Sequence, residues 1–315
     1  MSWVLGIDTS NYTTSVSAFD GENMLYRKKL LPVKPGEKGI RQSDAVFHHT
    51  LQLPELLSDL CSEISSDISA VGVSVKPSNQ EVSYMPCFLT GISVAKSLSS
   101  ALKIPLYEFS HQDGHIAAAL YSSKKTDLIG ERFLAFHISG GTSQGVLVTP
   151  NENYFSAQIL CDSLDLKAGQ AIDRVGIELG LKFPCGPELE KLALKSNKNF
   201  DNIKVFHRDL SFSLSGVENK CKQMLKNNES PCDIALYCIK YIESAISDTC
   251  DLLLKQYGNL PLVFSGGVMS NSIIRKNFEK KYGAYFAEPA FSSDNACGIA
   301  YLTYRMHNKQ LHNGD

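Results

Sequence analysis

Two stretches of this chain follow one grammar, and any fold must accommodate both. IDTSNYTTSVSAFDGEN, starting at Ile7, and ISGGTSQGVLVTPNEN, starting at Ile138, nearly superpose. In each, an apolar run ends in a small-residue turn, a second run follows, and a second turn leads to a third run. The three runs are SWVLGID, TTSVSAF and MLYRKKLL in the first half, and FLAFHI, QGVLVT and YFSAQIL in the second. A duplicated three-strand opening implies two copies of one supersecondary unit.

Each half then alternates helix with strand. A helical pattern runs from Asp44 to about Ser66 with an interruption at Pro54, ISAVGVSV reads as a buried strand, and the apolar helix CFLTGISVAKSLSSALK leads to IPLYEF. Later, DLKAGQAIDRVGIELGL and CDIALYCIKYIESAISDTCDLLLKQYG read as helices. PLVFSGG is a strand, NSIIRKNFEKKYG a helix, YFAEP a short strand, and DNACGIAYLTYRMH the closing helix. The expected fold class is α/β, with a mixed sheet under helical cover in each copy. Residues 1–125 are expected to form an N-terminal lobe and 126–315 a C-terminal lobe, with SSKKTDLIGER at the junction. The final helix, 294–308, is expected to pack back on the N-terminal lobe, and a ligand cleft is expected between the copies. LLPVKPGEKGIRQ reads as a surface loop.

Composition narrows the function classes. With 315 residues and 43% hydrophobic content, the chain can bury a large core. A net charge of −2 and a pI near 6.5 argue against a broad basic face that grips nucleic acid unaided. The nine cysteines are scattered, odd in number and lack any CxxC pair, which points to a reducing compartment rather than a disulfide scaffold or zinc ribbon. MSWVLGIDTS has no basic start and reaches Asp8 at once, so a signal peptide is not expected. No apolar run approaches the ~18 residues that span a bilayer. These features predict a soluble cytoplasmic protein with no membrane association.

Four elements carry possible chemistry. His111 and His115 are four residues apart in SHQDGHIAAAL, so a helix there puts both imidazoles on one face, where they could hold a divalent metal. The same spacing also occurs in ordinary surface or core pairs. Ser139, Gly140, Gly141 and Thr142 form a turn whose backbone amides can approach an anion, and Asp8 to Asn11 occupy the matching place in the first copy. Gly266 and Gly267 in VFSGGVMSN end a strand before a helix that begins near Asn271, which suits a nucleotide or a plain Asn cap. Asp294, in SSDNA, is either an N-cap or a third metal ligand if the fold brings it to the histidines. His137 ends a strand just before the glycine turn and is a further candidate ligand. No GxxxxGK[ST], GxGxxG or HExxH occurs.

From LGIDTS to the DNACGIA helix, these motifs in this order resemble the TsaD family of tRNA threonylcarbamoyladenosine synthases, formerly called O-sialoglycoprotein endopeptidases or glycoproteases. The resemblance implies duplicated RNase H-like lobes of the actin, hexokinase and Hsp70 (ASKHA) type. It implies one divalent metal, iron or zinc, on His111, His115 and Asp294, with His137 standing where relatives have a metal-binding Tyr. It implies substrate at Ser139, Gly140, Gly141 and Thr142. Matching GQAIDR, PCGP and GGVMSN to the family's motifs implies an adenine nucleotide or adenylate at Asp173, Gly186, Gly266, Gly267 and Asn271.

Tyr12, Thr142 and Gln170 depart from the family pattern, and VKPSNQEVSYMPC replaces a glycine-rich stretch, so the chain reads as a divergent paralogue. The resemblance implies an acyltransferase that moves a threonylcarbamoyl group from an adenylate donor to the exocyclic amine of the adenosine beside the tRNA anticodon. A protein partner or homo-oligomer is expected. The alternatives are a carbamoyltransferase with another acceptor and a non-catalytic nucleotide-binding partner subunit. A metalloprotease reading lacks the HExxH base and ranks last.

Overall fold

The computed structural model describes residues 2–10, 12–32, 40–80, 83–292 and 296–313. β1 (Trp3–Asp8), β2 (Thr13–Phe19) and β3 (Met24–Leu30) form an antiparallel opening. α1 (Gln42–Ser62) leads to β4 (Ile68–Lys76), and α2 (Phe88–Leu102) to β5 (Leu106–Ser110) and α3 (His111–Ser122). β4 joins β1 in parallel and β5 joins β4, giving the order β3-β2-β1-β4-β5.

The second half opens with β6 (Phe133–Ile138), β7 (Ser143–Pro150) and β8 (Phe155–Asp162). α4 (Ala168–Glu178) and α5 (Gly186–Ala193) follow, then a small ribbon of β9 (His207–Arg208) and β10 (Ser211–Phe212). α6 (Ser215–Lys226) and α7 (Pro231–Tyr257) precede β11 (Leu262–Ser265). α8 (Ser272–Tyr282), β12 (Tyr285–Phe286), α9 (Pro289–Ser292) and α10 (Cys297–Asn313) complete the chain. The second sheet has the order β8-β7-β6-β11-β12, with β7 antiparallel to β6 and with β11 and β12 parallel. The strand order repeats that of the first sheet, and the β6–β7, β6–β11 and β11–β12 pairs repeat its senses, so the lobes are duplicated α/β units.

Two compact units result. One comprises Met1–Gly130, Pro150–Ser156 and Ala290–Asp315; the other comprises Glu131–Thr149 and Ala157–Pro289. The first unit thus takes in two segments from the later half of the chain, α10 among them. Its core joins Leu5, Ile7 and Val16 to Val71, Val73, Leu53 and Leu60. In the second unit, Phe136, Phe264 and Phe286 stack across β6, β11 and β12 with centroids 5.0 and 5.2 Å apart. The buried face of the long α7 packs in the same core.

α1 runs through Pro54 without a break. Pro54 and Thr50, whose carbonyl loses its helical partner, are both exposed, so water can replace the missing N–H. The sequence reading missed α5 and α6, although Val217, Cys221 and Met224 are buried at helical spacing in α6.

α10 is seated by close backbone approach. A Cβ on Gly298 would lie 1.8 Å from the Gly114 carbonyl oxygen of α3. Phe19 of β2 meets Tyr121 of α3 and Tyr304 of α10 edge-on, at 5.5 and 5.0 Å. Ser17 Oγ donates to Ala296 O at 2.7 Å, tying β2 to the residue that precedes α10. Gly298→Ala should therefore cost about 1–3 kcal/mol or more through overpacking. Denaturant unfolding checks this, and a wild-type midpoint would contradict the seating.

Candidate active site

α3 begins at His111 because Ser110 stops β5 and caps the helix. Ser110 Oγ accepts from Asp113 N, and an Asp113 carboxylate oxygen accepts from Ser110 N, each at 3.1 Å. His111 is therefore the first helical residue and His115 lies one turn on. Their Nε2 atoms are 2.9 Å apart. Asp8, fully buried at the end of β1, holds His111 Nδ1 with Oδ2 at 2.6 Å, while its Oδ1 accepts from Ser10 N at 2.7 Å. A carboxylate only accepts, so His111 donates from Nδ1, and whenever the ring is neutral its Nε2 bears the lone pair that faces His115.

The spacing of these two nitrogens is compatible with two ligands of one ion. Two nitrogens about 2.1 Å from one ion lie about 3.0–3.4 Å apart, close to the observed pair. A carboxylate on the distal imidazole nitrogen is the usual way such a ligand is oriented. Asp294 lies outside the described residues. Among the described residues no group of three or more His, Cys, Asp or Glu is arranged to hold an ion. His137 belongs to the second unit, where its Nδ1 pairs with Ser265 Oγ at 3.0 Å. None of the nine cysteines is in a disulfide, and burial pushes the Cys87, Cys161 and Cys297 thiols up to about 12, which leaves no thiolate nucleophile among these three.

A third histidine went unnoticed in the sequence. His49 of α1 is fully buried, with Nδ1 2.7 Å from Thr14 Oγ1. Gln52 donates from Nε2 to Leu30 O, so its Oε1 takes the Thr14 hydroxyl proton at 2.7 Å. Thr14 must then accept from His49 Nδ1–H, and Nε2 bears a buried lone pair with no partner among the described residues. Burial drives the His49 pKa down to about 4, with Asp8 opposing and His48 reinforcing the shift. Between pH 4 and 6.5 the unfolded chain binds the extra proton, so this residue makes stability rise with pH across that window. His49→Gln should flatten that part of the pH–stability curve in denaturant titrations; an unchanged slope would refute the assignment.

The remaining candidates lie in the second unit. In the Ser139–Thr142 turn, Ser139 Oγ accepts from Gly141 N at 3.3 Å and from Thr142 N at 3.1 Å. With Ser139 N donating to Thr142 O at 2.7 Å, three turn amides are satisfied internally, and the Gly140 amide has no partner among the described residues. α4 closes against this turn, with Gly169 N donating to Ser139 O at 3.0 Å and Ala168 N to Ser143 Oγ at 2.9 Å.

Asp173 Oδ1 accepts from Cys185 N at 2.8 Å and so ties α4 to Gly186 at the start of α5. Burial raises the Asp173 pKa against that hydrogen bond. Gly266 has φ +96°, and a Cβ there would sit 2.2 Å from Ile138 O, so the position requires glycine. Gly267 opens a 3₁₀ turn, and Asn271 Oδ1 caps α8 through Ile273 N and Ile274 N at 3.1 and 3.2 Å. Glu190 of α5 accepts from Ser272 N at 2.9 Å, which links α5 to the start of α8. Asp173, Gly186, Glu190 and Asn271 are thereby joined through adjoining elements of one unit. Glu190 escaped the sequence reading, although it lies one helical turn after Gly186.

The family model for TsaD, tRNA N6-adenosine threonylcarbamoyltransferase, matches residues 25–301. This chain belongs to the TsaD family.

Solved structures with this fold are more distant in sequence. The (R)-2-hydroxyglutaryl-CoA dehydratase component A of Acidaminococcus fermentans is 17% identical with a TM-score of 0.56, over 97% of this chain and 98% of that one. Full-length HypF, in a phosphate- and nucleotide-bound form, is 14% identical with a TM-score of 0.61, over 98% of this chain and 56% of HypF. The activator of 2-hydroxyisocaproyl-CoA dehydratase from Clostridium difficile, with bound ADPNP, is 14% identical with a TM-score of 0.52, over 98% and 97% of the two chains. They share the duplicated α/β architecture of the ASKHA type.

Within the TsaD frame, the departures fall on accessible positions. Tyr12 is 37% exposed, Gln170 is exposed, and Thr142 is half-buried in the glycine turn. The replaced stretch after Val75 contributes Asn79, whose Nδ2 donates to both Asp113 oxygens at 3.1 and 3.0 Å.

Proposed function

We propose that this TsaD-family chain is a carbamoyl-type acyltransferase that moves a threonylcarbamoyl group from an adenylate to the N6 amine of the adenosine beside the tRNA anticodon. Family membership over residues 25–301 supports the reaction class, and the convergence of the His111 and His115 Nε2 atoms is the observation that carries the reading. His111, His115 and Asp294 would hold one divalent ion, iron or zinc, with His137 as a further candidate ligand. A bound divalent ion supplies Lewis-acid polarisation of the acyl group. No helix among the described residues is long and apolar enough to cross a membrane, and the reading takes the protein to be cytoplasmic.

The chain's own residues do the rest. Asp173 takes the ribose hydroxyls with the oxygen not engaged by Cys185, and Gly186, Gly266, Gly267 and Asn271 admit the adenosine. Ser139, Gly140, Gly141 and Thr142 lie along the donor, where the Gly140 amide meets negative charge developing on the acyl oxygen. The N6 amine attacks the carbamoyl carbon, the bond from that carbon to the phosphate oxygen breaks with its electron pair leaving on AMP, and the proton shed by the amine passes through the departing phosphate to solvent. No side-chain nucleophile is required. A net charge of −2 argues that a partner protein helps to hold the tRNA, and the binding should be strongly salt-dependent. Tyr12, Thr142 and Gln170 favour a second reading, in which the same transfer serves a different amine.

The test supplies purified protein and candidate partners with threonylcarbamoyl adenylate and unmodified tRNA. Metal-dependent formation of threonylcarbamoyladenosine is expected, with a loss of about 100-fold or more in His111→Ala. Asp173→Ala should weaken AMP binding by about 1–3 kcal/mol in calorimetry. Transfer to another amine but not to tRNA would establish the second reading. No transfer to any acceptor, despite bound nucleotide, would defeat both.

A further inference from the structure

Asp113 sits between the two histidines and gathers more hydrogen bonds than a helix cap requires. Besides closing the capping box with Ser110, it accepts from Asn79 on both oxygens and from Tyr154 Oη at 3.2 Å on Oδ2. The carboxylate is fully buried. Tyr154 comes from the connection between β7 and β8, yet Pro150–Ser156 belongs to the first unit together with α3.

That connection is clamped at several points. Asn151 Oδ1 accepts from Asn153 N and Tyr154 N, each at 2.9 Å, which makes the turn rigid. Lys309 of α10 donates to Glu152 O. The Tyr154 ring packs edge-on against Phe109 of β5, with centroids 5.5 Å apart. Burial and the neighbouring Asp113 carboxylate push the Tyr154 hydroxyl well above its ordinary range, so it stays protonated and donates. The first turn of α3 is also held by Gln112 N, which donates to Pro77 O at 3.0 Å.

We propose that Tyr154 is a positioning residue for the histidine pair: through its hydrogen bond to Asp113 it sets the N-terminal turn of α3, and thereby the convergence of the His111 and His115 Nε2 atoms. The argument is geometric. His111 and Asp113 share the first helical turn, and His115 begins the next, so a small rotation of that first turn moves the His111 ring relative to the His115 ring and changes their convergence. Asp8 orients the His111 ring from one side, and the Tyr154–Asp113 bond fixes the backbone beneath it from the other. Phe at position 154 keeps the ring packing against Phe109 and removes only the donor. The inference rests on the proposed histidine-pair metal site.

The test uses the full chain with Tyr154→Phe, cobalt(II) alone as the probe, and two readouts. In metal-free protein, the His111 and His115 imidazole ¹⁵N and N–H resonances should shift from their wild-type positions, whatever the change in thermal midpoint. In the second readout, cobalt(II) affinity should fall about tenfold, the lower end for partners that orient a ligand, and the visible d–d bands should shift. A purely structural role for Tyr154 would move the midpoint and leave the resonances and bands in place. Wild-type resonances, affinity and bands in Tyr154→Phe would overturn the proposal. If wild-type protein takes up no cobalt, the metal reading fails and the imidazole resonances alone decide the positioning role.

Discussion

The backbone contact between Gly114 and Gly298 sets the distance between α3 and α10, and much of the first unit depends on it. Any side chain at Gly298 would collide with a carbonyl of the helix that carries the histidine pair. Gly114 itself lies between those histidines in sequence, so the same close approach constrains the stretch of α3 that carries them. Ser17 and Ala296, bonded across this layer, are 279 residues apart in sequence. A contact of that order carries a large loop-closure cost, which the aromatic cluster of Phe19, Tyr121, Tyr301 and Tyr304 helps to offset. The first unit therefore depends on the last helix of the chain.

On this frame, the buried Asp8 carboxylate ties the end of β1 to the histidines around it. Asp8 closes β1, receives the Ser10 amide, orients His111 and acts electrostatically on His49 and Cys87. A buried charge is costly unless it is hydrogen-bonded, so the imidazole N–H and the turn amide are what allow Asp8 to stay inside. His49 meets the opposite demand: with Nδ1–H committed to Thr14, it remains neutral. Three histidine rings on separate turns are thus kept in different roles by their hydrogen-bond partners rather than by spacing.

The repeat made both sheet openings legible, because each strand run is bounded by turn residues whose backbone preferences are local. β2 coincides with the run TTSVSAF. Its complete burial was not legible, since alternating Ser and Thr normally mark a solvated face, and the satisfied hydroxyls of Thr14 and Ser17 appear only once α1 and the segment leading into α10 are in place. α1 continued through Pro54 for a related reason: whether a proline breaks a helix depends on the exposure of the freed carbonyl. At the candidate site, the histidine pair could be read from its i and i+4 spacing. The bonding roles of Asp8, Tyr154 and Glu190 could not, because the partners concerned, His111, Asp113 and Ser272, are distant in sequence and nothing local distinguishes an acid or a tyrosine that will find one. Asn271 shows the converse, where one side chain serves both as a helix cap and as a nucleotide-wall candidate.

The most direct test of the histidine-pair site is anomalous X-ray scattering from crystals of this protein soaked in cobalt(II). One dominant peak is expected about 2.0–2.2 Å from both His111 Nε2 and His115 Nε2, with Asp8 still bonded to His111 Nδ1. A cobalt peak elsewhere, or none at this pair while the two Nε2 atoms remain hydrogen-bonded to each other, would contradict it.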